Sequence, residues 1–336
     1  MGELPVNNAG VYTLRDLENA AQKKVGQPII DSILDAQPLF DQAAMTVCND
    51  GTRHVSSIIT NYPDMAPRRF NEGIEAVRHD STQQTDSTAM YAAYSTVDAN
   101  MFARNKNSAT WRTEQDRAFA RGFANGMARR IFNATLKKDL SEFNGFKARI
   151  TAKDTEDQYI DALNGGTRVT GHEYSDIWLI NWDPTMVTLI YPEGGVGGLK
   201  RIDRGEQEAY DEKGRRYRAH IVDYEWDLGL SIIDTRQVIR IANVDLTQLK
   251  TAPLAEGAPD LQTLLIRAQE RLPELITSKC GFYIPRTVKE ALRLQMLKTP
   301  QLTLEFSQLG GKQVETYSGI PLIKVANDVI GVETAK

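Results

Sequence analysis

The most regular pattern of apolar and polar positions lies between residues 108 and 134. Phe119, Phe123, Met127 and Ile131 recur there every four residues, and no proline interrupts the stretch. Apolar residues at this spacing share one face of an α-helix. The pattern therefore predicts a helix about 40 Å long, at ~1.5 Å per residue, whose apolar stripe lies in the core.

The chain before this helix is more polar. Residues 1–40 predict an arm that carries short helices and is too short to bury much surface by itself. Residues 41–100 are rich in Thr, Ser, Asn and Asp, with a hairpin-turn signal at 49–51 between 45–48 and 54–59, and a further strand pattern at 88–97. Because this stretch has few large apolar residues, it predicts a long projecting hairpin that packs on a neighbouring molecule.

The chain after the long helix changes to a pattern of strands. Four runs of β-branched and aromatic residues, separated by turns, predict one sheet of moderate size. These runs are residues 177–182, 186–191, 217–226 and 238–241. Beyond a linker at 251–259, the pattern predicts two helices, at 260–276 and 285–297, and short strands near 282–284, 303–306 and 321–325.

Composition limits the class of protein. Of the 336 residues, 41% are hydrophobic and 25% are charged, as in soluble globular proteins, and the net charge of −4 gives no overall basic footprint for nucleic acid. Cys48 and Cys280 offer neither a disulfide framework nor metal-ligand spacing, which fits a reducing cytoplasm. The sequence shows no signal-peptide pattern and no apolar run near the ~18 residues of a membrane span, so we expect a protein kept in the cytosol or in something assembled there.

Two segments resemble chemical motifs but fail at a required position. The glycine-rich stretch 194–198 reaches Lys200 only after an intervening leucine, whereas a Walker loop needs adjacent Gly, Lys and Ser or Thr. His172 and Glu173 begin like a zinc-protease motif, but Asp176 stands where the second histidine is required. The sequence therefore predicts no catalytic, cofactor-binding or metal-binding residues.

Carboxylates are dense between residues 203 and 227. A carboxylate-dependent hydrolase that uses Asp223 or Glu225 is one interpretation, because paired carboxylates on facing strands support general acid–base chemistry. Basic residues alternate with these carboxylates, so a solvated, salt-bridged hairpin is the favoured interpretation. The long helix also carries a surplus of arginines, which are either solvated or contact nucleic-acid phosphates or acidic groups of a neighbour.

Several segments, taken in order, resemble the major capsid proteins of tailed bacteriophages. They are residues 92–98, 112–119, 176–182, 190–194, 198–199, 224–226, 238–243 and 317–324. The chain looks most like the capsid proteins of short-tailed phages of the epsilon-fifteen kind, over about residues 30–330. None of these segments is a chemical motif, so the resemblance rests on their order and on the absence of a catalytic motif.

The resemblance implies an α+β fold with an N-terminal arm, an extended loop, a long spine helix, a peripheral domain and an axial domain. The implied boundaries are 1–40 for the arm, 41–100 for the extended loop and its connection to the spine, 101–174 for the spine helix and part of the peripheral domain, 175–250 for the axial domain, and 251–336 for the late helices and strands that complete both domains.

The resemblance also implies a function. Subunits would self-assemble, in the cytoplasm of a bacterial host, into hexamers and pentamers of an icosahedral virion capsid that encloses double-stranded DNA. The implied partners are other copies of the chain, scaffolding and portal proteins, a decorating protein and non-specifically held DNA, with no membrane. The alternatives are the hydrolase and another virion structural part, such as a tail or portal-related ring subunit.

Two features of the extended loop concern contacts between subunits. Some relatives cross-link through a lysine on this loop, but the chain has no lysine between Lys24 and Lys106, so we expect non-covalent contacts or a decorating protein to hold the shell. Arg53, Arg68 and Arg69 are expected to contact a neighbouring subunit. The chain is acidic overall, and the arginine fork suits paired carboxylates.

Overall fold

The computed structural model describes residues 27–61, 63–104, 108–153, 155–195, 197–255, 257–273, 280–298, 305–309 and 312–335. The α-helices are Gln27–Ala36 (α1), Leu39–Gln42 (α2), Ala99–Arg104 (α3), Ser108–Asn133 (α4), Phe146–Arg149 (α5), Leu246–Thr251 (α6), Leu261–Glu270 (α7), Arg286–Lys298 (α8) and Asn327–Ile330 (α9). The strands are Met45–Val47 (β1), Arg53–Asn61 (β2), Asp80–Asp98 (β3), Tyr159–Asp161 (β4), Glu173–Asn181 (β5), Val187–Tyr191 (β6), Lys200–Tyr210 (β7), Arg216–Ile232 (β8), Val238–Asp245 (β9), Cys280–Pro285 (β10), Glu305–Leu309 (β11), Lys312–Tyr317 (β12), Ile320–Val325 (β13) and Glu333–Thr334 (β14).

The predicted long helix is confirmed as α4, which we call the spine helix. Met127 and Ile131 are buried as predicted, whereas Phe119 and Phe123 are only partly buried, with Phe123 packed against the first core, so the predicted burial is incomplete at these two positions. The remaining buried positions between residues 112 and 128 are small or charged: Arg112, Asp116, Ala120, Ala124 and Ala128. Alanine lets the helix pack closely against α1, and this leaves the two phenylalanines at the margin of the core.

The strands form two sheets, so the prediction of one sheet over residues 177–241 was wrong. In the described residues, the first sheet has the order β1-β6-β8-β3-β2, with β7 pairing β8. The second sheet has the order β11-β12-β13-β10-β5-β9-β4, with β14 pairing β5. The four predicted runs divide equally, because β6 and β8 join the first sheet while β5 and β9 join the second. Apolar periodicity indicates burial of a strand but does not identify its partner.

The helices and the two sheets enclose two apolar cores. The first core lies between the spine helix, α1 and α2 and strands of both sheets, because it holds Trp226 of β8 and Trp178 of β5 together with Phe40, Phe132 and Phe146. The helices α7 and α8 pack on the second sheet around Leu261, Leu265, Phe282, Ile284 and Leu292. Each fully buried side chain of this size contributes about 1.5–3 kcal/mol relative to exposure.

The N-terminal segment is more firmly attached than the sequence predicts. Ile33, Leu34, Leu39 and Phe40 are buried in the first core, although residues 1–40 were expected to gain their burial mainly from other subunits. That expectation was wrong for residues 31–40, because α1 is amphipathic and lies on the spine helix of its own chain. Residues 1–26 lie outside the described residues.

Candidate assembly surface

A long antiparallel hairpin projects from the first sheet. The strands β2 and β3 pair from Arg53 with Ser87 to Asn61 with Asp80, and β3 then pairs with β8 as far as Asp98. The 19 residues of β3 span roughly 60 Å at about 3.3 Å per residue. The long hairpin predicted within residues 41–100 is therefore present, and its second strand, β3, continues into the first sheet.

The turn predicted at 49–51 is present but does not join the predicted strands. Gly51 adopts φ +58°, and Asp50 pairs with Arg53 across the turn. However, β1 pairs in parallel with β6, whereas β2 pairs with β3, so the prediction of a hairpin between residues 45–48 and 54–59 was wrong. The chain does reverse direction at this turn, but β1 pairs with the buried strand β6 and not with β2.

The outer end of the hairpin is a segment that does not pack against the rest of the described chain. Every residue from 63 to 79, which we call the hairpin tip, is exposed. Phe70 is 100% exposed and Met65 92%, and Ile74 and Val77 are also exposed. A monomeric protein rarely exposes several large apolar side chains together, so this composition indicates a contact with another molecule.

The three arginines proposed as intersubunit contacts do not form one site. Arg68 and Arg69 lie together on the hairpin tip, where Arg68 Nε donates a hydrogen bond of 3.1 Å to the carbonyl oxygen of Glu72. Arg53 begins β2 and is exposed, about 26 Å along the strand from Asn61. Arg68 and Arg69 are therefore exposed at the outer end of the hairpin, whereas Arg53 lies near the body of the subunit.

A groove between β3 and the spine helix is a second exposed feature, which the sequence analysis missed. It has a volume of about 650 Å³ and is lined by Met90 and Tyr91 of β3 and by Phe119, Gly122 and Phe123 of the helix, among others. The signal for it in the sequence is the pair of glycines within an otherwise regular helical pattern.

One end of this groove is closed by polar side chains. Arg130 Nε donates a 3.0 Å hydrogen bond to Glu142, and the Arg130 guanidinium lies 4.5 Å from the centroid of the Tyr91 ring. The Tyr91 hydroxyl donates to the same carboxylate. Burial and the hydrogen bond to Glu142 raise the pKa of Tyr91 well above its usual range, so its hydroxyl stays protonated and keeps this donor role.

A buried carboxylate joins the spine helix to the hairpin of β7 and β8. Asp116 accepts a 2.9 Å hydrogen bond from Arg201 Nε and another from the hydroxyl of Tyr224, and Arg112 Nε lies 3.4 Å away. Burial, together with this hydrogen bond, raises the pKa of Tyr224. The phenol ring of Tyr224 also stacks on Phe119, with ring centroids 4.6 Å apart. This arrangement fixes the orientation of the spine helix over the first sheet.

The carboxylates that suggested a hydrolase are paired across the strands of a hairpin. Asp223 accepts a 2.6 Å hydrogen bond from Arg204, and Glu225 lies 3.3 Å from Lys200 Nζ. Further pairs along β7 and β8 join Glu208 to Arg216, Glu206 to Arg218 and Asp211 to Arg215. The salt-bridged interpretation accounts for this cluster, and the hydrolase alternative gains no support.

A third charged cluster holds the C-terminal strand β14. Glu333 accepts hydrogen bonds from Lys147 and, at 2.8 Å, from Arg168. These bonds, with that from Lys147 the stronger cause, lower the pKa of Glu333 to about 2. Asp176, which the sequence placed in a broken zinc motif, instead pairs with Arg240 at 2.8 Å in the protein interior.

The histidine of that motif also has a structural partner. His172 Nδ1 lies 2.6 Å from Asp245 Oδ2, and the other Asp245 oxygen caps α6 by accepting from the Gln248 amide. Within the described part of the chain, no three His, Cys, Asp or Glu side chains converge as metal ligands. In the same residues, no helix is both long enough and apolar enough to cross a membrane.

The model of the family described as major capsid protein GP7 matches residues 21–334. The structure of bacteriophage epsilon15 is similar at 24% identity, with a TM-score of 0.65 and 87% of each chain covered. The bacteriophage JBD30 capsid matches at 7% identity, with a TM-score of 0.49 over 86% of this chain and 89% of that one. Among curated proteins, none matches this chain.

Proposed function

The chain belongs to the family of major capsid protein GP7, and we propose that its copies form the hexamers and pentamers of an icosahedral shell around double-stranded DNA. Its role is that of a shell-forming structural protein of a bacteriophage capsid, with the fold of such proteins. The observation that carries the proposed arrangement is the hairpin tip, which exposes Met65, Phe70, Ile74 and Val77 and is not covered by any other described part of the chain.

The proposed arrangement assigns a role to each part of the subunit. The second sheet with α7 and α8 would form the axial domain at the centre of a capsomer, and the spine helix with the first sheet would form the peripheral domain. Residues 175–250, implied as one axial domain, contribute strands to both sheets, so in the proposed arrangement they would belong to both domains. Residues 41–100 would be the extended loop and its connection to the spine, and residues 1–40 the N-terminal arm.

The proposed function extends to partners and place. We propose assembly in the cytoplasm of a bacterial host, with scaffolding and portal proteins and a decorating protein. The DNA would be held without sequence recognition, because the chain carries a net charge of −4 and offers phosphates only local groups of arginines. We also propose that the subunit has no enzymatic activity, since its conspicuous carboxylates are paired with basic side chains.

Electron microscopy of the purified chain in negative stain tests the proposed function. Closed shells are expected. Discrete rings would indicate the alternative of a tail or portal-related subunit, and monodisperse particles under all conditions of salt and concentration would refute shell formation by the chain alone. Co-expression with candidate scaffolding proteins is the matched arm, because shells that appear only there would assign closure to the scaffold.

The role of the tip arginines has its own test. Arg68→Glu with Arg69→Glu reverses two exposed charges and should leave the circular dichroism of the subunit unchanged. Each surface pair contributes under ~1 kcal/mol, but repetition over every copy in a shell amplifies a small term. We expect weaker assembly at low salt with partial rescue at high salt, where screening shortens the range of the repulsion. Assembly at the unaltered yield in low salt would remove these residues from the interface.

A further inference from the structure

The sequence contains three Asn-Gly pairs, a dipeptide in which the asparagine side chain can react with the next backbone amide. The pairs are Asn125-Gly126, Asn144-Gly145 and Asn164-Gly165. Glycine has no Cβ atom, so the nitrogen atom that follows the asparagine is open to contact. The reaction also requires this N–H group to leave the hydrogen bond that it makes. The pairs share one sequence and differ in their structural settings, which therefore decide where the reaction occurs.

The fold protects the first two pairs. Gly126 lies inside the spine helix, whose backbone ladder engages its N–H group. Gly145 is buried, and its amide donates a 2.9 Å hydrogen bond to the carbonyl oxygen of Ala134. The side chain of Asn144 is held as well, because its Oδ1 atom accepts a 3.0 Å hydrogen bond from the Leu136 amide. Reaction at either pair would break hydrogen bonds that belong to the folded structure.

The third pair lies in an exposed turn after β4. Asn164 and Gly165 are both exposed and have φ angles of +48° and +83°, in the left-handed region that asparagine and glycine adopt most readily. The turn is closed by a 2.9 Å hydrogen bond from the Gly166 amide to the carbonyl oxygen of Leu163. The Gly165 amide donates instead to a side chain, with 3.4 Å between its nitrogen and Oδ2 of Asp161. This N–H group is therefore held at the surface by one long hydrogen bond.

Two side chains are placed to assist an attack by the Gly165 nitrogen on the Asn164 side chain. Asp161 Oδ2 already accepts from the Gly165 N–H group, so it can take the proton as the nitrogen attacks. Arg267 of α7 donates a 3.2 Å hydrogen bond to Asn164 Oδ1, the oxygen on which negative charge develops. The Asp161 carboxylate is held in place, since its other oxygen accepts a 2.8 Å hydrogen bond from Asn243 Nδ2.

We propose that Asn164 deamidates in the folded subunit, with Asp161 as the base and Arg267 as the donor to the oxyanion. The Gly165 nitrogen forms a bond to Cγ of Asn164 and gives its proton to Asp161. The bond between Cγ and Nδ2 then breaks, and the leaving nitrogen takes that proton and departs as ammonia. A five-membered succinimide ring remains, which water opens at Cγ to give aspartate or at the main-chain carbonyl to give isoaspartate. One water molecule is consumed for each ammonia released.

The product changes the contact between this turn and α7. Deamidation adds one negative charge to a chain whose net charge is −4. The new carboxylate forms where the Arg267 guanidinium already donates to Asn164 Oδ1, so the aspartate product gains an ion pair in place of a neutral hydrogen bond. The isoaspartate product lengthens the main chain within the turn. This modification goes beyond the proposed function, because it needs one folded subunit and no assembly.

Peptide mapping of the full chain tests the proposal, because trypsin separates the three pairs. Cleavage after lysine and arginine gives the peptides 122–129, 139–147 and 154–168, each with one Asn-Gly pair. The folded chain is incubated in water enriched in oxygen-18 at mildly alkaline pH and then digested in ordinary water, so the heavy oxygen marks deamidation that preceded digestion. We expect peptide 154–168 to acquire the label about tenfold faster or more than the other two, whose amides react only after local opening. Equal labelling of the three peptides, or an unlabelled peptide 154–168, would overturn the proposal.

Two substitutions separate assistance by Asp161 from the reactivity of the dipeptide itself. Asp161→Ser keeps an oxygen acceptor in the turn and removes the carboxylate, so labelling at Asn164 in the folded chain should slow by about tenfold or more. Asp157→Ser removes an exposed carboxylate from the same peptide and is the matched control, which should label at the unaltered rate. In concentrated urea all three chains should label alike, because Asp161 no longer lies beside the Gly165 amide.

The donor has a test of its own. Arg267→Met removes the guanidinium that donates to Asn164 Oδ1 and should slow labelling of the folded chain by about tenfold. The urea midpoint of each variant is measured first, so that labelling is compared between folded chains. A folded Asp161→Ser chain that labels at the unaltered rate would overturn the assignment of the base, and a folded Arg267→Met chain that does so would overturn that of the donor.

Discussion

Replacing Asp116 by alanine should strongly destabilise the subunit. Its carboxylate is 7% exposed and receives hydrogen bonds from Arg201, at 2.9 Å, and from Tyr224, while Arg112 Nε lies 3.4 Å away. Arg112 is itself 8% exposed, so it cannot turn into solvent when its partner is removed. The variant leaves a buried guanidinium without a counter-charge and a buried phenol without its acceptor.

The magnitude follows from the burial of these groups. Removing one partner of a buried ion pair costs about 3–5 kcal/mol, because an uncompensated charge stays in the interior. Asp203→Ala is the matched control, since Asp203 pairs with the same Arg201 at 3.2 Å but has a side chain that is 54% exposed. An exposed pair of this kind contributes under ~1 kcal/mol. The two variants therefore differ in burial while they share a partner.

Urea denaturation of the unassembled subunit, followed by tryptophan fluorescence, measures this difference. Trp178, Trp182 and Trp226 are buried in the first core, on which the spine helix packs, so the signal reports the unfolding of that core. We expect a lower urea midpoint for Asp116→Ala at an unchanged slope, and almost no change for Asp203→Ala. A loss below ~1 kcal/mol for Asp116→Ala would refute the conclusion that this carboxylate holds the helix in place.

Three further predictions follow from other parts of the structure. In the same urea assay, Ile131→Ala should lower the free energy of unfolding by about 2–5 kcal/mol, because Ile131 is fully buried. Phe123→Ala should cost clearly less than the ~3–5 kcal/mol of a fully buried phenylalanine, because Phe123 is only partly buried. Equal losses of stability in the two variants would contradict the observed burial. The pKa of Glu333 is lowered from an ordinary 4.5 to about 2, so its ion pairs stabilise the fold fully above about pH 4.5 and this stabilisation is lost as the pH falls towards 2. Glu333→Gln should flatten this part of the profile of stability against pH. A profile that the substitution leaves unchanged would argue against the pairing with Lys147. Denaturing gels of shells should show no covalent ladder, because the hairpin has no lysine; bands at multiples of 37.6 kDa that survive boiling and reductant would contradict this.

The sequence predicts those elements whose stability is local. The sequence predicts the C-terminal end of the spine helix to within one residue, because apolar positions repeat at helical spacing from Phe119 to Ile131 and no proline interrupts Ser108–Asn133. The face that it buries was predicted less well. Ala120 and Ala124 are small and carry little weight in a hydrophobic pattern, yet they form the contact, whereas the larger Phe119 and Phe123 lie at the margin.

The pairing of strands and the candidate surface depended on contacts between distant residues. β5 and β9 are rich in β-branched and aromatic residues, as β6 and β8 are, and only the partners that they meet in space assign them to different sheets. The Asp116 cluster joins residues up to 108 positions apart, so no local motif could indicate it. The hairpin tip was predicted as a projecting segment because a lack of apolar residues is itself local, but its exposed Phe70 could be recognised only from the structure.

The central claim, that copies of this chain form a closed shell through the hairpin, is tested most directly by cryo-electron microscopy of particles assembled from the purified chain. The account predicts closed icosahedral shells built from rings of six and five subunits, with each hairpin formed by β2 and β3 lying over an adjacent subunit. Open sheets, isolated rings or shells in which every hairpin tip packs against its own subunit would contradict it.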